Sequence, residues 1–126
     1  MKYAINGLGI PEAHGPYSQG TTAGRLVFAS GQIAYDPNDS TRLITGDAAA
    51  QTNRIIDIIE LILGEVNCTL ADVAQTTLYL ANINDLPIVN EVYSRRFSLP
   101  APARAVVAVS GLPMGALVEM DCVACR

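Results

Sequence analysis

Isoleucines at 55, 58, 59 and 62, followed by Val66, share one face of an α-helix and cannot share a face of a strand. Thr45-Gly46-Asp47 supplies start signals, and Asp57 and Glu60 lie away from the centre of the stripe, so a helix is predicted from Asp47 to Val66. A helix with one such apolar face must lay it on a second layer, and the rest of the chain offers a sheet. Tyr3 to Ile5 can begin a strand. Tyr17 to Thr22 and Arg25 to Ser30 read as strands joined by an Ala23-Gly24 turn. Pro37, Asn38, Asp39 and Ser40 form a turn cluster within residues 31–46 that ends this sheet segment. Thr69 to Asp72 is a capping-type turn leading into a strand from Val73 to Ala81.

Asn82 to Asp85 opens a second helix, with Pro87 tolerated in its first turn and Ile88, Val92 and Tyr93 as its inner face. Arg95 and Arg96 suit the negative end of the helix dipole, and Leu99-Pro-Ala-Pro102 stops the helix. Residues 101–124 read as a final hairpin, with strands on either side of a turn at Gly111–Gly115. The predicted fold is α+β, with two helices on one face of a mixed sheet, in a single domain spanning residues 1–126.

Half of the 126 residues are apolar and 16% are charged, which leaves a thin polar surface and predicts burial in an oligomer. A net charge of −4 and a pI near 4.7 argue against a nucleic-acid partner, which calls for a basic face. No apolar run of about 18 residues is present, so no membrane partner is expected. The N-terminal residues lack the apolar core of a signal peptide, and a cytoplasmic protein is expected. Three cysteines fit a reducing compartment. Cys122 and Cys125 form C-V-A-C, but residues three apart on a strand face opposite ways. With His14 the one histidine, and that in a loop, no metal site is expected.

Chemistry concentrates in the last quarter. Arg104 interrupts an apolar strand and Glu119 interrupts the returning one. Alternation puts Arg104, Val106 and Ala108 on one face, and Leu117, Glu119 and Asp121 on one face of the return. A symmetric hairpin would set Val106 opposite Glu119 and Arg104 opposite Asp121, making Arg104 and Glu119 diagonal neighbours. A half-buried guanidinium needs an anion. Two readings stand: a cross-strand ion pair with Glu119 or Asp121, or a two-pronged grip on a ligand carboxylate.

Five segments in order carry a resemblance. They are G-P-Y-S-Q-G at Gly15–Gly20, S-G-Q-I at Ser30–Ile33 and N-D-L-P-I-V-N-E-V-Y at Asn84–Tyr93, then P-A-R at Pro102–Arg104 and G-L-P-M-G-A-L-V-E-M-D at Gly111–Asp121. Together they resemble the RidA (YjgF/YER057c/UK114) family over residues 5 to 125. The resemblance implies a chorismate-mutase-like fold assembled as a homotrimer with inter-subunit clefts. It also implies hydrolytic deamination of reactive enamines and imines such as 2-aminoacrylate, giving a 2-oxo acid and ammonia without metal or organic cofactor. By the same resemblance Arg104 grips the substrate carboxylate and Glu119 holds or activates water. Tyr17 and Asn90 line the cleft, and Ser30 and Gly31 supply backbone contacts. Val106 stands where the family often has cysteine, so its contribution runs through the main chain. Asp121 then becomes the structural acid of the pair. The alternatives are a non-catalytic 2-oxo-acid-binding or regulatory trimer, a pathway-specific deaminase of the aminomuconate type, and ribonuclease action, which the acidic composition disfavours.

Overall fold

The computed structural model describes residues 1–126. Its strands are β1 (Lys2–Ile5), β2 (Gly20–Ala23), β3 (Leu26–Gln32), β4 (Tyr35–Asp36), β5 (Asp39–Leu43), β6 (Val73–Leu80), β7 (Ala103–Ala108) and β8 (Val118–Cys125). The two helices are α1 (Ala48–Gly64) and α2 (Leu86–Arg96). Six strands form one sheet in the order β1-β2-β3-β8-β6-β7, and β4 and β5 form a separate small hairpin. Only β6 and β7 pair in parallel.

The isoleucine stripe behaves as its spacing requires. Ile55, Ile56, Ile58, Ile59 and Ile62 are fully buried, and α1 lies on β3 and β8. Asp47 caps α1 by accepting the Ala50 amide at 2.9 Å, which satisfies one of the free N–H groups of the first turn. The sheet face beneath it is Val27, Ala29, Leu78, Leu80, Met120 and Cys122, all buried. α2 packs beside α1 through Val89, Val92 and Tyr93; Ile88, expected on the inner face, is only half-buried. Arg96 fastens the end of α2 to α1, donating to Asp57 at 2.8 Å, to Glu60 and to the Asn53 carbonyl. The Thr69–Asp72 capping box is present, with the Thr69 amide donating to Asp72 at 2.8 Å.

Three sequence expectations change. Residues 31–46 hold the β4–β5 hairpin, and the turn cluster is its bend, with Asp39 accepting from the Thr41 amide and hydroxyl. Tyr17 lies ahead of β2 in irregular chain, because the extended stretch only begins to pair at Gly20. The largest correction concerns the last quarter, which is not a hairpin. β6, α2 and β7 form a strand-helix-strand unit, whose crossover helix returns the chain to the start of β6, so β7 pairs in parallel with β6. Residues 109–117 then carry the chain across, and β8 pairs antiparallel between β3 and β6. Strand β6 therefore separates β7 from β8.

That register reverses the expected neighbourhood. Arg104 is beside Thr76 and Val106 beside Leu78, on the face covered by helices. Glu119 is beside Tyr79 and Asp121 beside Thr77, on the open face. Asp121 does not pair with Arg104; it accepts from the Tyr79 hydroxyl at 3.1 Å. Cys122 and Cys125 diverge as expected, one buried and one exposed. No helix is long and apolar enough to cross a membrane. Ile58→Ala should cost about 2–5 kcal/mol in urea unfolding, whereas Leu61→Ala, at a position 39% exposed, should cost under about 1 kcal/mol.

Candidate active site

The candidate residues gather into two clusters on opposite faces of the sheet. On the helix side, β7 delivers Arg104 and α2 delivers Asn90 and Tyr93. Arg104 donates from Nη1 to Asn90 Oδ1 at 2.8 Å, and its guanidinium carbon stands 4.8 Å from the centre of the Tyr93 ring. Asn90 and Tyr93 are one helical turn apart and so present one surface to the strand. Tyr93 is fixed in turn: its hydroxyl shares a 2.7 Å hydrogen bond with the Thr76 hydroxyl, and its ring packs on Phe97 at 4.5 Å. Burial pushes the Tyr93 hydroxyl up, so it stays neutral. A cavity of about 580 Å³ opens here, lined by Asn90, Tyr93, Phe97, Leu99, Pro102 and Arg104.

No carboxylate lies within 4 Å of Arg104; the ion pairs of the chain belong to Arg42 and Arg96. Its guanidinium is held by one amide oxygen and one ring face, with the remaining donors free. Such a group is oriented to receive an anion from outside the chain. Val106 is the next residue along this face and is half-buried.

On the open face, Glu119 shares a cavity of about 600 Å³ with His14, Tyr17, Gly31, Tyr35 and Met114. Gly31 sits so close that a Cβ there would run into the Glu119 carboxylate. Burial, and secondarily Asp121, holds the Glu119 carboxyl above the usual carboxylate range. Tyr35 is pushed up by burial and by neighbouring Tyr17. Arg54 pins the Tyr35 carbonyl from α1 at 2.7 Å, and Gln51 of α1 accepts the Leu117 amide just before β8. The Tyr17 hydroxyl accepts the His14 amide at 3.4 Å. The Ser30 hydroxyl is spent on the Ser18 carbonyl at 2.6 Å, which leaves backbone as the means by which this segment can meet a ligand.

Tyr17, Gly31 and Glu119 therefore converge, as do Arg104 and Asn90, but the two groups do not meet within one chain. Tyr93, Tyr35 and Met114 escaped the sequence reading as site residues, and His14 was read as a plain loop residue. Tyr93 had a usable signal, its spacing of three from Asn90 on a helix. Tyr35 and Met114 had none, since only the tertiary fold brings them to Glu119.

A sequence profile of the family described as Endoribonuclease L-PSP, the YjgF/RidA family, matches residues 9–126. The chain belongs to the RidA family. The human protein named 2-iminobutanoate/2-iminopropanoate deaminase is 40% identical over 124 residues, covering 98% of this chain and 90% of that one. The crystal structure of RidA from an Antarctic Psychrobacter superposes with a TM-score of 0.92 at 33% identity, covering 98% of this chain and 99% of that one. The structure of E. coli TdcF with bound serine superposes with a TM-score of 0.90 at 29% identity, covering 98% of each chain. The α+β RidA fold with two helices and a mixed sheet is thus common to all three chains.

The raised Glu119 carboxyl carries a stability consequence. Folding favours its protonated form, so this contribution is fully present below the unfolded carboxylate pKa and is lost as pH rises through the higher folded value. Glu119→Gln, neutral at every pH, should melt above the wild type at pH 7 to 8 in scanning calorimetry. The difference should close below about pH 4.

Proposed function

We propose that this RidA-family chain is a hydrolytic deaminase of reactive enamines and imines such as 2-aminoacrylate, acting in clefts between copies of a homotrimer. The observation that carries the reading is the separation of Arg104 and Glu119 onto opposite faces of one sheet. Each half-site holds one group the reaction needs, and a second copy supplies the other. The open face supports assembly: Phe28, Leu117 and Val123 are only half-buried there, and Ala105 and the 43%-exposed Val107 stand uncovered on the edge strand. Deaminase naming of the human relative and the serine bound to TdcF, a small carboxylate-bearing amine, support the ligand class.

The chemistry follows from the groups. The Arg104 fork takes the substrate carboxylate in two hydrogen bonds, with Asn90 and Tyr93 holding the guanidinium plane. The enamine tautomerises to an imine, whose carbon is electrophilic once its nitrogen is protonated. Water adds to that carbon and the Glu119 carboxylate of the adjoining copy takes the water's proton. The same proton passes to the amino group of the carbinolamine. The C–N bond breaks, ammonia leaves, and loss of the hydroxyl proton closes the 2-oxo acid. A carboxyl held above its ordinary range suits this exchange, being closer to neutral pH than a solvated glutamate. Val106 offers the cleft only its main chain. None of these steps calls for a metal or organic cofactor, and the small 2-imino acid is the partner the site is built to hold.

Arg104→Ala should lower kcat/KM for 2-aminoacrylate, generated in situ by a dehydratase, by about 100-fold or more, with the oligomer intact by light scattering. Wild-type activity in that variant would sink the assignment. Refolding Arg104→Ala together with Glu119→Gln should restore activity at about one quarter of the sites, where an intact Arg104 meets an intact Glu119 across an interface. No recovery on mixing, with each single variant inactive, would place both groups of a working site on one chain.

A further inference from the structure

Strand β3 loses its regular pairing at the point where it meets Glu119. Ala29 pairs with Cys122 and Gln32 with Met120, so three steps along β3 match two along β8. The extra residue makes a bulge at Ser30–Gly31, which turns the Gly31 main chain against the Glu119 carboxylate. Two glutamines hold the bulge from behind. Gln32, fully buried, donates from Nε2 to Gln19 Oε1 at 2.7 Å and to the Ser30 carbonyl at 3.1 Å. Gln19, 6% exposed, accepts the Ser30 amide on its own carbonyl at 2.9 Å.

We propose that Gln32 and Gln19 are positioning residues for the reaction, a buried amide pair that fixes the Ser30–Gly31 bulge and thereby sets the place and solvation of the Glu119 carboxylate. The arrangement is a poor one for stability alone. Gln19 Nε2 and Gln32 Oε1 lie buried without a hydrogen-bond partner, an unfavourable feature that an apolar pair in a regular strand would avoid. What the pair secures is the irregular backbone, and the irregular backbone is what lies against Glu119. Gly31 closes one side of that carboxylate, as only a residue without a side chain can. The inference rests on the deaminase reading for its kinetic consequence, though its geometric part stands apart from it.

The test uses Gln32→Met and Gln19→Met, which keep length and apolar volume while removing the amides, together with the double variant. Each single variant should lose about 10-fold in kcat with a smaller rise in KM, because the carboxylate grip of Arg104 and Asn90 is on the other face and only the Ser30–Gly31 backbone contact is loosened. The double variant should lose no more than either single one, since both break the same hydrogen bond. The Glu119 carboxyl, followed by ¹³C NMR, should titrate at lower pH in the variants, and the acid limb of kcat should move with it as water reaches the group. The groups facing Glu119 are Asp121 on β8, Tyr79 on β6, Tyr35 on β4, Tyr17 and His14 before β2 and, in the proposed assembly, Arg104 of the adjoining copy, all of them retained in the variants. Should Gln32→Met fail to fold, Gln19→Met carries the same test from the other end of the bond. A folded variant with wild-type kcat and an unmoved Glu119 titration overturns the proposal. Absence of turnover in the wild type overturns the deaminase reading instead, and the NMR titration then still decides the positioning role.

Discussion

The placement of β8 between β3 and β6 is the constraint on which the rest of this molecule depends. Side chains in a sheet keep their face across every paired neighbour, so the register of three strands decides which groups can meet. Thr76, at the centre, faces the helices, and so do its flanking partners Arg104 on β7 and Cys122 on β8. Tyr79, three residues on, faces the open side with Glu119 and Val107. Pairing of β8 directly with β7 as a simple hairpin would instead bring Arg104 and Glu119 together as diagonal neighbours. The observed pairing keeps them apart, with no ion pair between them.

Separation of the two charged groups and the uncovered apolar face are consequences of one topology. Both helices cover one side of the sheet and no helix covers the other, where only the segments around Tyr17, Tyr35 and Met114 rise beside Glu119. Half-buried Phe28 and Val123 and the exposed Val107 of the edge strand therefore share the open face with Glu119, while Arg104 faces the far side from that edge. A contact that buries this face around a closed ring can bring the Arg104 edge of one copy to the Glu119 cavity of the next. In the proposed assembly, burying apolar surface and completing the site are the same event.

The parts of this fold readable from sequence were those fixed by local periodicity. Ile55 to Ile62 declared α1, Asp47 its start, and Thr69–Asp72 the capping turn ahead of β6, because each depends on neighbours within a few residues; α1 itself stops at Gly64, short of Val66. The β4–β5 hairpin was missed because Asp39-Ser-Thr-Arg carries no apolar alternation and Tyr35–Asp36 is too short to show any. The pairing of β7 was misread because alternation reports faces of one strand and is silent on which strand lies beside it. Motif resemblance named Arg104, Glu119, Tyr17, Gly31 and Asn90 one by one, but a linear motif holds no information on which share a cavity. Tyr93 and Tyr35 entered only through the fold, one beneath the guanidinium and one beside the carboxyl.

The inventory of nucleophiles limits the chemistry further. Cys122 is buried, with its thiol pushed up to about 12 chiefly by burial, and Cys68 is buried with its thiol also raised. Neither lines a cavity, and Val106 puts no thiol beside Arg104. The Ser30 hydroxyl donates to a carbonyl, and the Tyr35 and Tyr93 hydroxyls are raised, which keeps them protonated at neutral pH. A ready nucleophile calls for a depressed pKa, and these thiols and phenols are shifted upward instead. Glu119, which lines a cavity and whose carboxyl is raised by burial, can instead handle the proton of a water molecule. In the proposed deamination, addition of water to an already electrophilic imine carbon asks for no more than that.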